Sequence, residues 1–425
     1  MKDIAEKSLF DIPGGWKTLL WILVILGIGM FIAGLMTGGE ESVVRTWQAF
    51  LINTVFWGGI AHAGVIFAVI WQITDAKWGR AFKRLAEACA GFLPISFLMF
   101  MVVFFGSHVL YEWTHTPFLH HGEAVKQGWL NLPFFISRNV FWLLLIYGIS
   151  YWFIKTSIKP DIALARRLIG SDWGGKFADW VLEDYGEHET EVIRLEKLSR
   201  KIAPVLAFVY SIGGSFLAWD FVMTLDQTWF STLFGVFVMI GNMHAFLGLM
   251  LVVAVTVRKK FAIEEYISIN RLHDLAKMTF AFSLLWTYMG YSQYIVIWYV
   301  DLPEETPYLI IRSMNAPWNT LFLVMILCVF VSVFLGLLPR TLCRMPNYIR
   351  LMGIWVMLGQ LLSVYIMVVP SLQHDGHYHI FMGMHELLIT LGFVGAFFLC
   401  YLAFLGKLPI LPISDKHLCR TWHGH

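Results

Sequence analysis

The sequence predicts an all-α polytopic membrane protein, and three observations carry that prediction. Apolar runs of about 20 residues, the length a helix needs to cross a bilayer, recur ten times along the chain. Hydrophobic residues make up 58% of the chain and charged ones 14%, more apolar surface than a water-soluble domain can bury. The basic residues are also sorted by side, as the positive-inside rule requires of helical membrane proteins.

The ten expected spans cover residues 18–36, 48–71, 88–110, 133–154, 202–223, 231–257, 276–300, 317–338, 349–369 and 385–405. The first ten residues are polar and no small-residue cleavage pattern follows the first apolar run. That run is therefore expected to stay as a span and not to leave as a signal peptide. The termini and the loops on their side carry 27 Lys and Arg residues, whereas the opposite loops carry only Arg45, Lys126 and Arg312. Arg138 falls inside the fourth span. This asymmetry predicts that both termini are cytoplasmic. The 155–201 loop mixes Glu191, Arg194, Glu196 and Arg200 at helical spacing, which predicts a surface helix leading into the fifth span. No linker divides the chain, so residues 1–425 are expected to form one integral membrane unit.

The face opposite the termini is acidic and rich in histidine: Glu40, Glu41, Glu112, His115, His120, His121, Glu123, Asp226, Asp301, Glu304, Glu305, His374, Asp375, His377 and His379. It is either a solvated face kept free of cations by topology or a docking surface for partners. Cys89, Cys328, Cys343, Cys400 and Cys419 lie in spans or cytoplasmic segments without CxxC spacing, which argues against disulfides and iron–sulfur ligation. A net charge of +2, with its cations sorted by membrane side, gives no sign of nucleic-acid binding.

Ionisable side chains inside a bilayer are costly and therefore mark candidate sites. The hairpin over residues 202–257 is the first such place, with Asp220 at the outer end of span five and His244 within Gly241-Asn242-Met243-His244. Span two carries His62 within Gly58-Gly59-Ile60-Ala61-His62-Ala63. Both histidines lie 13 or 14 residues into a span that enters from outside, about 20 Å at helical rise. The two spans are parallel and four apart, which suggests parallel four-helix repeats over 48–223 and 231–369.

Each histidine is either satisfied by a neighbouring helix or part of a proton relay or a haem site. No span holds two well-separated histidines, which argues against haem. A relay needs further groups on both sides. Glu87 beside Arg84, and Lys277 with Asp274, stand toward the cytoplasm; Asp220, Glu386 beside His385, and Arg138 stand toward the outside. Tyr210, Ser211, Ser215, Thr287, Tyr288, Tyr291 and Gln293 could fill the gaps between them. Two His-rich segments, 374–379 and 417–425, have metal-compatible residues at a spacing that fits no metal pattern, so no metal site is assigned.

Several stretches resemble the second ten-helix membrane subunit of bacterial alternative complex III, a quinol:electron-acceptor oxidoreductase. That subunit belongs to the NrfD-like polysulfide-reductase membrane family. The stretches are Trp219-Asp220-Phe221-Val222-Met223-Thr224-Leu225-Asp226 with Trp229-Phe230-Ser231-Thr232-Leu233-Phe234-Gly235, and Gln293-Tyr294-Ile295-Val296-Ile297-Trp298-Tyr299 running into Leu302-Pro303-Glu304-Glu305-Thr306. Leu130-Asn131-Leu132-Pro133-Phe134-Phe135 with Arg138, and Arg84-Leu85-Ala86-Glu87, are similar too. The resemblance implies two four-helix bundles plus two peripheral helices in a bacterial inner membrane. It implies a quinol-binding NrfD-like paralogue beside this chain, with periplasmic multihaem cytochrome and iron–sulfur subunits on the outer face. It also implies that no cofactor is bound by this chain, the haem and iron–sulfur groups belonging to partners. The quinol-oxidising paralogue is expected to carry an acid/base residue in span three; here Phe97 stands at that position, which implies that the usual quinol site is absent. Ala61-His62-Ala63-Gly64, however, resembles the paralogue's second span.

Three functions follow as expectations. The first is an integral subunit of a respiratory quinol:cytochrome c (or other acceptor) oxidoreductase, structural and proton-translocating through Glu87, His62, His244 and Asp220 or Glu386. The second is direct quinol binding with His62 or Asp220 as proton acceptor. The third is a secondary transporter, since ten spans with repeats also suit transport.

Overall fold

A computed structural model describes residues 6, 12–36, 39–116, 119–120, 123–124, 126–373, 380 and 382–415. The described chain is helical almost throughout. In order, the helices are α1 (Gly14–Met36), α2 (Glu40–Thr74), α3 (Arg80–Phe105), α4 (Leu132–Ile169), α5 (Gly175–Leu182), α6 (His188–Phe221), α7 (Phe234–Lys260), α8 (Ile269–Val300), α9 (Thr306–Ser313), α10 (Trp318–Leu337), α11 (Pro346–Val368) and α12 (Met384–Leu405). The sheet structure among the described residues is one antiparallel pair of two-residue strands, Leu119–His120 and Glu123–Ala124.

Nine of these helices are long and apolar enough to cross a membrane: α1, α2, α3, α4, α6, α7, α10, α11 and α12. The chain is therefore a multi-pass helical membrane protein. The seventh expected span corresponds to α8, which is 32 residues long but not among the nine. Its polar side chains, including Thr279, Thr287, Ser292, Gln293 and four tyrosines, dilute its apolar character.

One boundary differs from expectation. Span four was expected to stop at residue 154, yet α4 runs on through Pro160 to Ile169 and ends at Gly170, whose φ of 149° a side chain would resist. The charged stretch with Glu191, Arg194, Glu196 and Arg200 is a helix that leads into span five, as expected, and α6 runs unbroken through Pro204 from His188 to Phe221. Hydropathy marks where a helix leaves lipid, while helix-breaking residues mark where it stops.

Helix α2 is the axis of the molecule. It is buried nearly all round and packs against α1, α3, α6, α7, α11 and α12. On one side α3 and α6 pack against it and α4 packs on α6 and α3; on the other, α7 packs against α8 and α11, and α10 packs against α11. Helices α1 and α12 pair with each other and rest on α2 and α3. Small residues permit the closest crossings. A Cβ on Gly27 would lie 2.5 Å from the Gly392 Cα, and one on Gly353 would lie 2.5 Å from the Gly248 carbonyl oxygen. Trp21, Ile25, Ile28 and Ile32 of α1 point outward and are exposed, the polarity expected of a lipid-facing helix.

Candidate functional site

The two histidines sit on the two most enclosed helices. His62 is carried by α2 and His244 by α7, and both are buried. The helices touch directly near them: a Cβ on Gly59 would fall 2.3 Å from the Asn242 side-chain oxygen. A glycine at 59 is what lets the Asn242 amide lie between the two backbones.

His62 is lined by tyrosines. Its ring centroid lies 4.5 Å from that of Tyr147 on α4 and 5.9 Å from that of Tyr210 on α6. Tyr147 shares a 2.7 Å hydrogen bond with Ser96 of α3, and Tyr210 bonds to the Asn242 side chain of α7. The imidazole bonds back to the Gly58 backbone one turn earlier, and its Nε2 finds no partner among the described residues. With one ring nitrogen donating to a carbonyl, a neutral imidazole leaves the other as a bare lone pair. His62 Nε2 is thus a proton acceptor.

His244 has the opposite arrangement. Its Nδ1 lies 2.9 Å from the Gln360 Nε2 of α11, an amide N–H that donates to it, and its own Nε2 has no partner among the described residues. As that amide is oriented, Nε2 carries the hydrogen and can donate. A buried polar group without a partner costs about 1–3 kcal/mol, so two such nitrogens on neighbouring central helices need a reason.

Charged groups flank this core at both ends. At the end expected to face the cytoplasm, Arg84 bonds Asp161 of α4 through Nε (2.7 Å) and Nη2 (2.6 Å), and also Glu87 and the Ser157 carbonyl. Glu87 accepts a 2.6 Å bond from the Ser157 hydroxyl, with Lys83 4.0 Å away. Asp161 further accepts from the Ser414 backbone N–H (2.8 Å) and hydroxyl, and Arg80 pairs with Asp415 and Asp75. At the opposite end, Arg138 grips Asp220 through Nε (2.6 Å) and Nη2 (2.7 Å), and Asn139 adds a 2.8 Å bond to the same carboxylate. The guanidinium lies 4.0 Å over the Trp129 ring and donates to the Trp129 carbonyl. Glu386 pairs with Arg45 of α2 at 2.7 Å and caps α12 by accepting the Gly383 N–H, while His385 shares a 2.8 Å bond with Thr46.

The structure therefore divides the expected relay residues into two kinds. His62 and His244 are buried with an open nitrogen. Asp220, Glu386 and Arg138 are engaged in ion pairs that tie helices together, while Glu87 pairs with Arg84 on its own helix and reaches α4 through the Ser157 hydroxyl. Of the gap-filling residues, Tyr210 touches His62, whereas Ser211 and Ser215 bond back to their own helix and Tyr288 and Tyr291 are exposed. Lys277 and Asp274 form an exposed pair at 3.1 Å. Phe97 packs beside Tyr147, 6.0 Å between centroids. The His-rich segments at 374–379 and 417–425 lie outside the described residues.

Sequence reading missed Tyr147, Ser96, Gln360, Ser157 and Asp161. Gln360 had a visible signal, as a lone amide inside an apolar span. Asp161 was hidden because span four was expected to stop short of it. The chain matches no protein-family profile and no curated protein.

Proposed function

We propose that this chain is an integral membrane subunit of a respiratory quinol:acceptor oxidoreductase, and that it conducts protons through its two central histidines. The observation that carries the reading is the pair of enclosed imidazoles on touching helices, one with an accepting Nε2 and one with a donating Nε2. Groups of this kind, spaced by Tyr210 and Asn242, suit stepwise proton transfer. The stretches over residues 219–235 and 293–306 support the assignment to a quinol-oxidising assembly by their resemblance to its second NrfD-like subunit. That resemblance implies two four-helix bundles with α1 and α12 peripheral, α8 as the tenth span, and periplasmic cytochrome and iron–sulfur partners, and the sorting of Lys and Arg by side supports cytoplasmic termini.

In this reading the carboxylates frame the path. Glu87 and Asp161 with Arg84, Asp220 with Arg138, and Glu386 with Arg45 fix the helix ends and set the local field. Direct quinol chemistry on Asp220 is disfavoured, because both its oxygens are taken by Arg138 and Asn139 inside the protein. His62 is closed in by Tyr147 and Tyr210 in the same way.

The assignment is tested by tagging this chain in its native membrane and purifying it in mild detergent. It should emerge with haem-containing subunits and quinol-dependent acceptor reduction. A chain that purifies alone and moves a solute across liposomes would overturn the assignment in favour of transport.

A further inference from the structure

A cavity of about 670 Å³ opens between α7, α8, α9, α10 and α11, and neither central histidine lines it. Its walls are apolar and aromatic, with Phe234 and Phe237 on α7 and Phe322, Ile326 and Phe330 on α10. Its rim includes Tyr291 and Leu323, both on the exposed surface of membrane-length helices, so the cavity communicates sideways with lipid. Every element contributes the end or half that is expected to face outside.

One charged side chain lines it. Arg312 of α9 is only 4% exposed and forms no ion pair among the described residues. Its N–H groups donate to the Tyr308, Ile366 and Met367 carbonyls and to the Ser371 hydroxyl. Its guanidinium carbon lies 3.5 Å over the Tyr308 ring, and Trp229 stacks on that ring at 3.8 Å and 6°. A ring that close covers one face, so Arg312 and Trp229 take opposite faces of Tyr308. Asp226 acts on Arg312 only from a distance, and its Oδ1 is occupied by Thr228 and the Trp229 N–H. The carbonyl dipoles hold the guanidinium in place, yet a full cation in a lipid-facing cavity has no contacting anion among the described residues. Trp229 also lines the cavity, and its indole N–H has no hydrogen-bond partner among the described residues.

We propose that this cavity holds one anionic phospholipid, with its phosphate at Arg312 and an acyl chain along the aromatic wall of α10. Four of the five guanidinium N–H groups are donated inside the protein, so Arg312 offers a phosphate oxygen its charge and one remaining Nη1 N–H, and the remaining surface suits hydrocarbon and rejects a free, hydrated ion.

The test uses the purified full chain, exchanged into detergent and titrated in native mass spectrometry with dioleoyl phosphatidylglycerol, with dioleoylglycerol and with inorganic phosphate. One phosphatidylglycerol should be retained per chain, at least about tenfold more tightly than dioleoylglycerol. Arg312→Gln should abolish that preference and Arg312→Lys should keep most of it. Equal retention of dioleoylglycerol, an unchanged preference in Arg312→Gln, or displacement of the lipid by millimolar inorganic phosphate would each overturn the proposal. Should Arg312→Gln fail to fold, the wild-type comparison of the two lipids decides alone.

Discussion

Replacing Arg138 with Gln should cost about 3–5 kcal/mol, because it strands the Asp220 carboxylate inside the protein with only neutral donors, the Asn139 and Trp129 side chains, to hold it. The measurement is the apparent melting temperature and the yield of monodisperse protein in detergent. The paired substitution Arg138→Met with Asp220→Leu removes both charges and should recover much of the loss, as replacing a buried ion pair by packed apolar groups commonly does. The stacking of Trp129 and Phe134 against the guanidinium makes Met the better fit at 138. This series separates anchoring from transport. If Asp220 anchors α6 to α4, Asp220→Asn protein that survives purification translocates protons normally; if it releases protons, the fold holds and translocation fails.

Arg84→Met should be as severe, about 3–5 kcal/mol, since two buried carboxylates lose their common cation at once. Glu87→Gln should be milder, about 1–3 kcal/mol, because Arg84 keeps Asp161 and the amide can still accept from Ser157. The two variants also differ in where the structure loosens. Asp161 holds the Ser414 backbone, so Arg84→Met should release the segment after α12, read as faster proteolysis near residues 406–415. Equal melting temperatures for Arg84→Met and Glu87→Gln would contradict the arrangement.

The contrast between these anchors and the histidines explains what could be read beforehand. The spans were legible because lipid imposes a length and an apolar composition that no other constraint overrides. His62 and His244 stood out for the same reason, as polar groups in long apolar runs. The partners of each charge were not legible. Arg84 and Asp161 are 77 residues apart, and Arg138 and Asp220 are 82 apart; nothing local in the sequence pairs them. Asp220, Glu386 and Arg138 carried the right residue types for a relay, yet each is bound to its neighbour in a helix-tying pair. The length of α4 was misjudged because a helix that leaves the bilayer keeps its hydrogen bonds in water just as well, so residues 155–169 continue it without an apolar signal. Tyr147 escaped notice because tyrosine is common near membrane interfaces, and only the packing of α4 on α3 and α6 sets its ring against His62.

The central claim is that protons pass the two histidines. The most direct check is proton translocation per electron by the complete complex in sealed liposomes, driven by a quinol and read with an external pH indicator, for wild type, His62→Phe, His244→Phe and the double variant. The account predicts that electron transfer to the acceptor stays within about threefold of wild type while the transmembrane proton yield falls at least about tenfold in each variant. A double variant that reduces its acceptor and moves protons at the wild-type ratio would contradict it.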